Sequence, residues 1–313
     1  MIMARVGTSV SNEDENREEE RKRGIICQAF ADAARHTWVD LRDLSDLGEE
    51  SITDYRILDW KRSCSRNVHI RKFNKAAEGG SKYTEGTGAD WEWWLGSGDD
   101  WFGMRVQAKK LKDGRYDNLA RCVGKTKVRQ IDQLLKATRE AEKKGIFVYP
   151  MYCFYNHWDS TSFPTLDWPC KTFKESDEAW GATVADAYEI KQLIDTKMTD
   201  LLSVGSISRP LRCLACCVGK KPLSPTSPLT LPYRAQSIAI MLRERWSKKQ
   251  EPLRGRGRKP TILPVPTVTK NPPSYVLSIL DSEKEDEELI SGDYGNHLSR
   301  LKGVIVCDGS SDA

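Results

Sequence analysis

From Ile25 the chain takes on helical periodicity: Ile25, Ile26, Ala29, Phe30 and Ala33 share one face, which predicts a helix core. A second helix is expected from near Gly48, capped by Ser45 or Asp46, with Ile52, Tyr55 and Leu58 or Asp59 roughly in register. Glu49 and Glu50 fall in its first turn, where the positive end of the helix dipole favours acids. NVHIRKFN (67–74) alternates and predicts a strand, and a loop with four Gly follows at 75–88. WEWWL (91–95), GSGDD (96–100) and WFGMRVQAKKL (101–111) read as strand, turn and strand, a β-hairpin. VRQIDQLLKATREAEKKG (128–145) is a helix stopped by Gly145, with Val128, Ile131, Leu134 and Leu135 in one stripe. IFVYPMYCFY (146–155) is apolar throughout, as in a buried central strand, and Pro150 should mark a bulge or the end of one ladder. The order over 49–155 is therefore helix, strand, strand, strand, helix, strand. Beyond it, 183–203 and 234–248 look helical, and GVIV (303–306) predicts one last strand, at an edge.

Composition explains where this pattern stops. Of 313 residues, 39% are hydrophobic, below the roughly 45–50% of a globular chain. The deficit lies in SNEDENREEERKR (11–23), in Pro-rich segments at 219–232 and 250–274, and in 281–289, with six acids and one base. The expected division is a polar tail (1–24), an α/β domain (25–210, core 49–155), a Cys-containing helical extension (211–249) and a Pro-rich, acidic, partly disordered region (250–313). No run approaches the roughly 18 apolar residues of a membrane span, and the start carries no secretory signal pattern. Nine irregularly spaced Cys do not make a disulfide scaffold. A reducing compartment is expected, the cytoplasm or a nucleus. A net charge of +4 does not by itself argue for nucleic acid. Its distribution says more, because residues 105–144 hold thirteen Lys and Arg against five Asp and Glu. That is either a phosphate-facing stripe or a solvated helix face.

The hairpin gathers the candidate chemistry. A midpoint near 98 or 99 makes paired residues sum to about 197, which sets Asp90 against Val106 and Gln107. Alternation puts Arg105, Gln107 and Lys109 on one face and Met104, Val106 and Ala108 on the other. A carboxylate, a carboxamide and an ammonium thus meet on adjacent strands, beside the helix that carries Glu50.

An acid on a first helix (Glu50), an Asp opening one strand (Gly88-Ala89-Asp90) and Gln107-Ala108-Lys109 on the next resemble the PD-(D/E)xK nuclease superfamily. So does the order αβββαβ. The proline before the Asp is missing, and Gln stands for the second acid, a form similar to that of Mrr-like restriction enzymes. GADWEWW, VQAKKL and a later YCFYN also resemble an uncharacterised bacterial and fungal family of unknown function. The superfamily resemblance implies a restriction-endonuclease-like core, a mixed sheet flanked by helices. It implies a metal-dependent nuclease using Mg²⁺ or Mn²⁺, acting on nucleic acid, expected to be DNA. Asp90, Gln107 and the Ala108 carbonyl would then be metal ligands, Lys109 would position water or stabilise phosphate charge, and Glu50 would hold an outer water or a second metal. Glu49 competes with Glu50 for that place. The alternatives are a catalytically inactive nucleic-acid-binding module of the same fold and a protein-interaction domain.

Other features carry less. Glu85 and Glu92 are further acids near Asp90, either ligands or solvated charges. Trp91, Trp93, Trp94 and Trp101 could stack bases or pack in the core. RGRGRKP (254–260) is a degenerate AT-hook or a basic linker. Cys213, Cys216 and Cys217 lack a fourth zinc ligand unless Cys153, Cys170 or His157 reaches them, so structural Zn²⁺ is not expected.

Overall fold

The computed structural model describes residues 24–73, 87–122, 127–159, 176–216, 230–250, 264–281, 298 and 301–310. The N-terminal helices are α1 (Ile25–Asp43) and α2 (Glu49–Ser63). Strand β1 (Val68–Lys72) leads to the hairpin of β2 (Trp91–Ser97) and β3 (Asp100–Lys110). Then come α3 (Gln130–Glu142), β4 (Val148–Tyr155) and β5 (Ala182–Asp186). Beyond these lie α4 (Ala187–Asp195), α5 (Leu201–Ile207), β6 (Arg209–Pro210) and α6 (Cys213–Cys216). The chain continues with α7 (Leu231–Gln250), β7 (Thr269–Lys270), α8 (Ser274–Leu280) and β8 (Gly303–Asp308). The strands form one mixed sheet in the order β1-β8-β2-β3-β4-β5-β6, with β7 paired to β3. Helices flank it, so the protein is α/β. No helix among the described residues is long and apolar enough to cross a membrane.

The hairpin register is Trp91 opposite Val106 and Trp94 opposite Gly103, closed by a two-residue turn in which Gly98 takes φ 58°. A residue without Cβ enters that region without strain. Both faces of the hairpin are covered. On one, Trp93 packs against Phe30 of α1 and Trp60 of α2, with ring centroids 6.3 and 5.9 Å away. On the other, Trp94 and Trp101 lie in a second cluster with Val304, Val306 and Tyr275. The four hairpin tryptophans are all buried, so they pack and do not offer faces for base stacking. Pro150 sits just before Met151, where the β4–β5 ladder begins, and its missing N–H removes no bond there.

Several expectations are corrected. Ile25 is exposed, while Ile26, Ala29, Phe30 and Ala33 are buried. In α2, Tyr55 and Leu58 are exposed; the buried stripe is Ile52, Thr53, Arg56, Ile57 and Trp60, and the residue before the helix is Gly48. Ala182–Asp186 is a strand, not the start of a helix, and helix begins only where Asp186 caps Glu189 N at 2.8 Å. The region from 250 onward is not a mere appendage. Its described residues supply β7, α8 and β8, and β8 is no edge strand: it pairs parallel to β2 and antiparallel to β1. Val304 and Val306 face one cluster and Ile305 and Cys307 the other, the two-sided apolar character of a central strand.

Candidate functional site

The site forms at the end of the sheet where the loop before β2 meets β3. Gly88 has φ 71°, and a Cβ there would lie 2.5 Å from the Gln130 carbonyl and 2.6 Å from Leu134 N. The missing side chain lets the loop pass close under α3 and deliver Asp90 to the mouth of the hairpin. Asp90 is fixed from both sides by its backbone: its N–H donates to Val106 O at 2.9 Å, and its carbonyl accepts from Lys302 N at 2.8 Å.

Its two carboxylate oxygens have different company. Oδ2 accepts from the Ala108 N–H at 3.0 Å and from the Gln107 amide nitrogen. Oδ1 pairs with Lys302 Nζ at 2.8 Å, and the same ammonium donates to Glu50 Oε1 at 3.0 Å. Lys109 Nζ lies 3.8 Å from Glu49 Oε2. Of the two helix acids, Glu49 is therefore the one turned to Lys109, with its side chain 32% exposed, while Glu50, at 64%, lies at the rim.

Burial sets the electrostatics. Loss of water raises the pKa of Glu49, and Lys109 opposes that only in part. Loss of water likewise lowers the pKa of Lys109 against the pull of Glu49 and Asp90. Both shifts run toward the neutral forms. For Lys302 burial also acts downward, but Asp90 and Glu50 outweigh it and its pKa is raised.

Three buried polar atoms at this end have no hydrogen-bond partner among the described residues: Gln107 Oε1, Glu49 Oε2 and Tyr152 Oη. Tyr152 is the register neighbour of Gln107 on β4, and burial and the Asp90 charge raise its pKa. Buried oxygens without donors are costly unless something occupies them. Oxygens are the ligand type a hard divalent cation prefers, and Asp90, Glu49 and Gln107 supply them here, with both Asp90 oxygens already accepting from the protein's own donors. One detail departs from expectation. The Gln107 nitrogen, not its oxygen, faces Asp90, and it also donates to the Ala108 carbonyl at 3.0 Å. That carbonyl, expected as a ligand, already accepts this bond. Among the described residues no group of three or more His, Cys, Asp or Glu gathers as a metal cage, so any ion held here relies partly on the amide and on water.

Glu92 belongs to a different structure. It is fully buried, pairs with Arg105 Nε at 3.3 Å, and accepts from Trp94 Nε1 at 2.9 Å and from Tyr275 Oη. It is neither a site acid nor a solvated charge, and Arg105, whose guanidinium also donates to Ala137 O at 2.7 Å, is withdrawn from the patch of Gln107 and Lys109. The basic segment is likewise divided: Arg129 pairs with Asp132 and Asp195, and Lys110 donates to the Ser45 and Leu47 carbonyls. Cys213 is buried, Cys153 is buried with its thiol pushed up to about 12, and His157 stacks edge-on with Trp38 at 4.9 Å. Glu85, Cys170, Cys217 and RGRGRKP (254–260) lie outside the described residues. Sequence reading missed Lys302 and Tyr152. Neither had a local signal: Tyr152 is set beside Gln107 by the register of β4 on β3.

An α/β protein with a carboxylate, carboxamide and lysine converging at one end of a mixed sheet is thus the class that fold and site define. The chain belongs to a family of unknown function (DUF6615), whose model matches residues 26–313. No curated protein and no solved structure matches it.

Proposed function

We propose that this chain is a metal-dependent nuclease that hydrolyses phosphodiester bonds of nucleic acid, DNA in the first place, on a restriction-endonuclease-like core. The run α2-β1-β2-β3-α3-β4 follows the order αβββαβ of that fold, with β8 inserted between β1 and β2. The observation that carries the reading is the grouping around Asp90: Gln107 and Ala108 N bonded to it, buried Lys109 ion-paired with Glu49, and a buried Gln107 oxygen with no hydrogen-bond partner among the described residues. Asp90, Glu49 and the Gln107 oxygen would hold Mg²⁺ or Mn²⁺. When bound, such an ion supplies activation of the attacking water and neutralisation of phosphate charge.

The chain's own residues do the rest. In hydrolysis the water oxygen bonds to phosphorus, the bond to the departing oxygen breaks, one proton leaves the water and one ends on that oxygen. Lys109, whose pKa burial lowers against the pull of Glu49, is placed to take or return such a proton and to offset charge on the phosphate. The test is cleavage of double-stranded DNA, single-stranded DNA and RNA by wild type and Asp90→Asn with and without Mg²⁺. The expected outcome is Mg²⁺-dependent cutting that Asp90→Asn abolishes while circular dichroism is unchanged. Salt-sensitive binding without any cutting would favour a non-catalytic nucleic-acid-binding module instead.

A further inference from the structure

The cations around the carboxylates of the site differ in what they already hold. Lys302 Nζ bonds Asp90 Oδ1 at 2.8 Å and Glu50 Oε1 at 3.0 Å, so its single charge faces two acids. Lys109 is buried, its side chain 6% exposed, with Glu49 Oε2 3.8 Å away. Arg121 differs from both. It is exposed, and its guanidinium has no hydrogen-bond or ion-pair partner among the described residues. Its backbone is nevertheless fixed beside the site. Fully buried Leu119 anchors a 3₁₀ turn at Asp117–Ala120. The Arg121 N–H then donates to the Asn118 carbonyl at 3.2 Å, and the Arg121 carbonyl accepts from Gln130 N, at the start of α3, at 2.9 Å. Gln130 is the residue whose own carbonyl closes over Gly88, just ahead of Asp90. The charge of Arg121 acts across the mouth on α2 and β3 alike: it opposes the rise of the Glu49 pKa and adds to the lowering of that of Lys109.

We propose that Arg121 is the phosphate contact of this site, the residue that takes a backbone phosphate of a nucleic acid lying across its mouth. This deepens the nuclease reading and rests on it. A guanidinium offers two parallel N–H donors to two phosphate oxygens, a fit an ammonium lacks. Arg121 also has no carboxylate to release first, whereas Lys302 would have to leave Asp90 and Glu50. Lys109 lies too deep to meet the nucleic acid before it is seated. A cation that neutralises one phosphate releases the counterions condensed there, so the contact is read in the salt dependence of binding.

The test is fluorescence anisotropy of a labelled DNA oligonucleotide, duplex and single-stranded, titrated with the full-length protein in EDTA and again in Ca²⁺, across salt from about 50 to about 200 mM. Loss of one phosphate contact makes the slope of log affinity against log salt shallower by about 0.9 on duplex or about 0.7 on a single strand, which is about an eightfold or a fivefold loss of affinity at ~0.1 M salt. Arg121→Gln should show that loss with its melting temperature unchanged. Arg121→Lys, which keeps the charge, should restore the slope. Lys144→Gln is the control: it removes an exposed charge just past the far end of α3, about 20 Å along the helix, and should bind as wild type does. An Arg121→Gln slope equal to that of wild type, a slope that Arg121→Lys fails to restore, or the same loss in Lys144→Gln overturns the inference and leaves the nuclease reading standing. Absence of salt-dependent binding by wild type in either buffer, with no Mg²⁺-dependent cutting that Asp90→Asn removes, overturns both.

Discussion

Gln107→Glu separates a metal-facing amide from one that only braces the sheet. The Gln107 nitrogen donates to Asp90 Oδ2 and to the Ala108 carbonyl. A carboxylate there would place an oxygen against each acceptor. Two like charges about 3 Å apart cost about 5 kcal/mol at an effective dielectric of ~20. That is enough to raise one carboxyl of the pair by about 3–4 pKa units, so that the pair keeps one proton near neutrality. Because the folded pKa then lies above the unfolded one, the variant's stability is retained below about pH 4 and falls as pH rises toward about pH 8. A divalent cation reverses this, since the added charge becomes a ligand. If Mg²⁺ reaches about a hundred times its dissociation constant, binding adds about 2.7 kcal/mol, or roughly 4 °C in melting temperature for a chain of this size. The assay is thermal unfolding of both proteins at about pH 6 and about pH 8 against rising Mg²⁺. The variant should melt lower than wild type without metal, most clearly at the higher pH, and should gain more from Mg²⁺. Equal or smaller stabilisation of the variant would refute the reasoning, because added negative charge cannot weaken an oxygen-ligand site that uses this position.

Two further outcomes test the frame that holds the site. Arg105→Met leaves fully buried Glu92 without its cation and should cost about 3–5 kcal/mol in urea unfolding, part of which Arg105→Met/Glu92→Leu should restore. Asp186, whose pKa burial pushes up to about 6 despite its bonds to Tyr149 Oη and Glu189 N, holds its proton more firmly folded than unfolded. Stability should therefore fall by roughly 3 kcal/mol as pH rises from about 4 through about 6, and Asp186→Asn should flatten that slope in denaturation measured across the range.

The hairpin was legible because its information is local: a two-residue turn with glycine and alternating strands fix the pairing of Asp90 with Gln107. The choice between Glu49 and Glu50 was not, since neighbouring helix residues differ by about 100° in direction and only the packing of α2 decides which one turns to Lys109. Glu92 read as a further acid near Asp90. It was lost to burial, because its face is covered by α8 and its Tyr275. The strand at Ala182–Asp186 and the central place of β8 depend on partners far away in sequence, and a short apolar run carries no mark of which edge it will join. Lys302 inherits that obscurity: between Leu301 and Gly303 it is a lysine like any other until β8 is seated.

The seating of β8 also has a consequence in time. Trp91 and its parallel partner Gly303 are roughly two hundred residues apart, so β2 leaves the ribosome long before the strand that covers its outer edge. Until then the hairpin presents open backbone donors and acceptors beside a row of tryptophans, a surface prone to capture by other chains. Asp90 gains its lysine only when that gap closes. The acidic mouth of the site is thus assembled last, after translation of the segment that neutralises it, and a nascent chain stalled before β8 carries the hairpin without the charge balance of the finished protein.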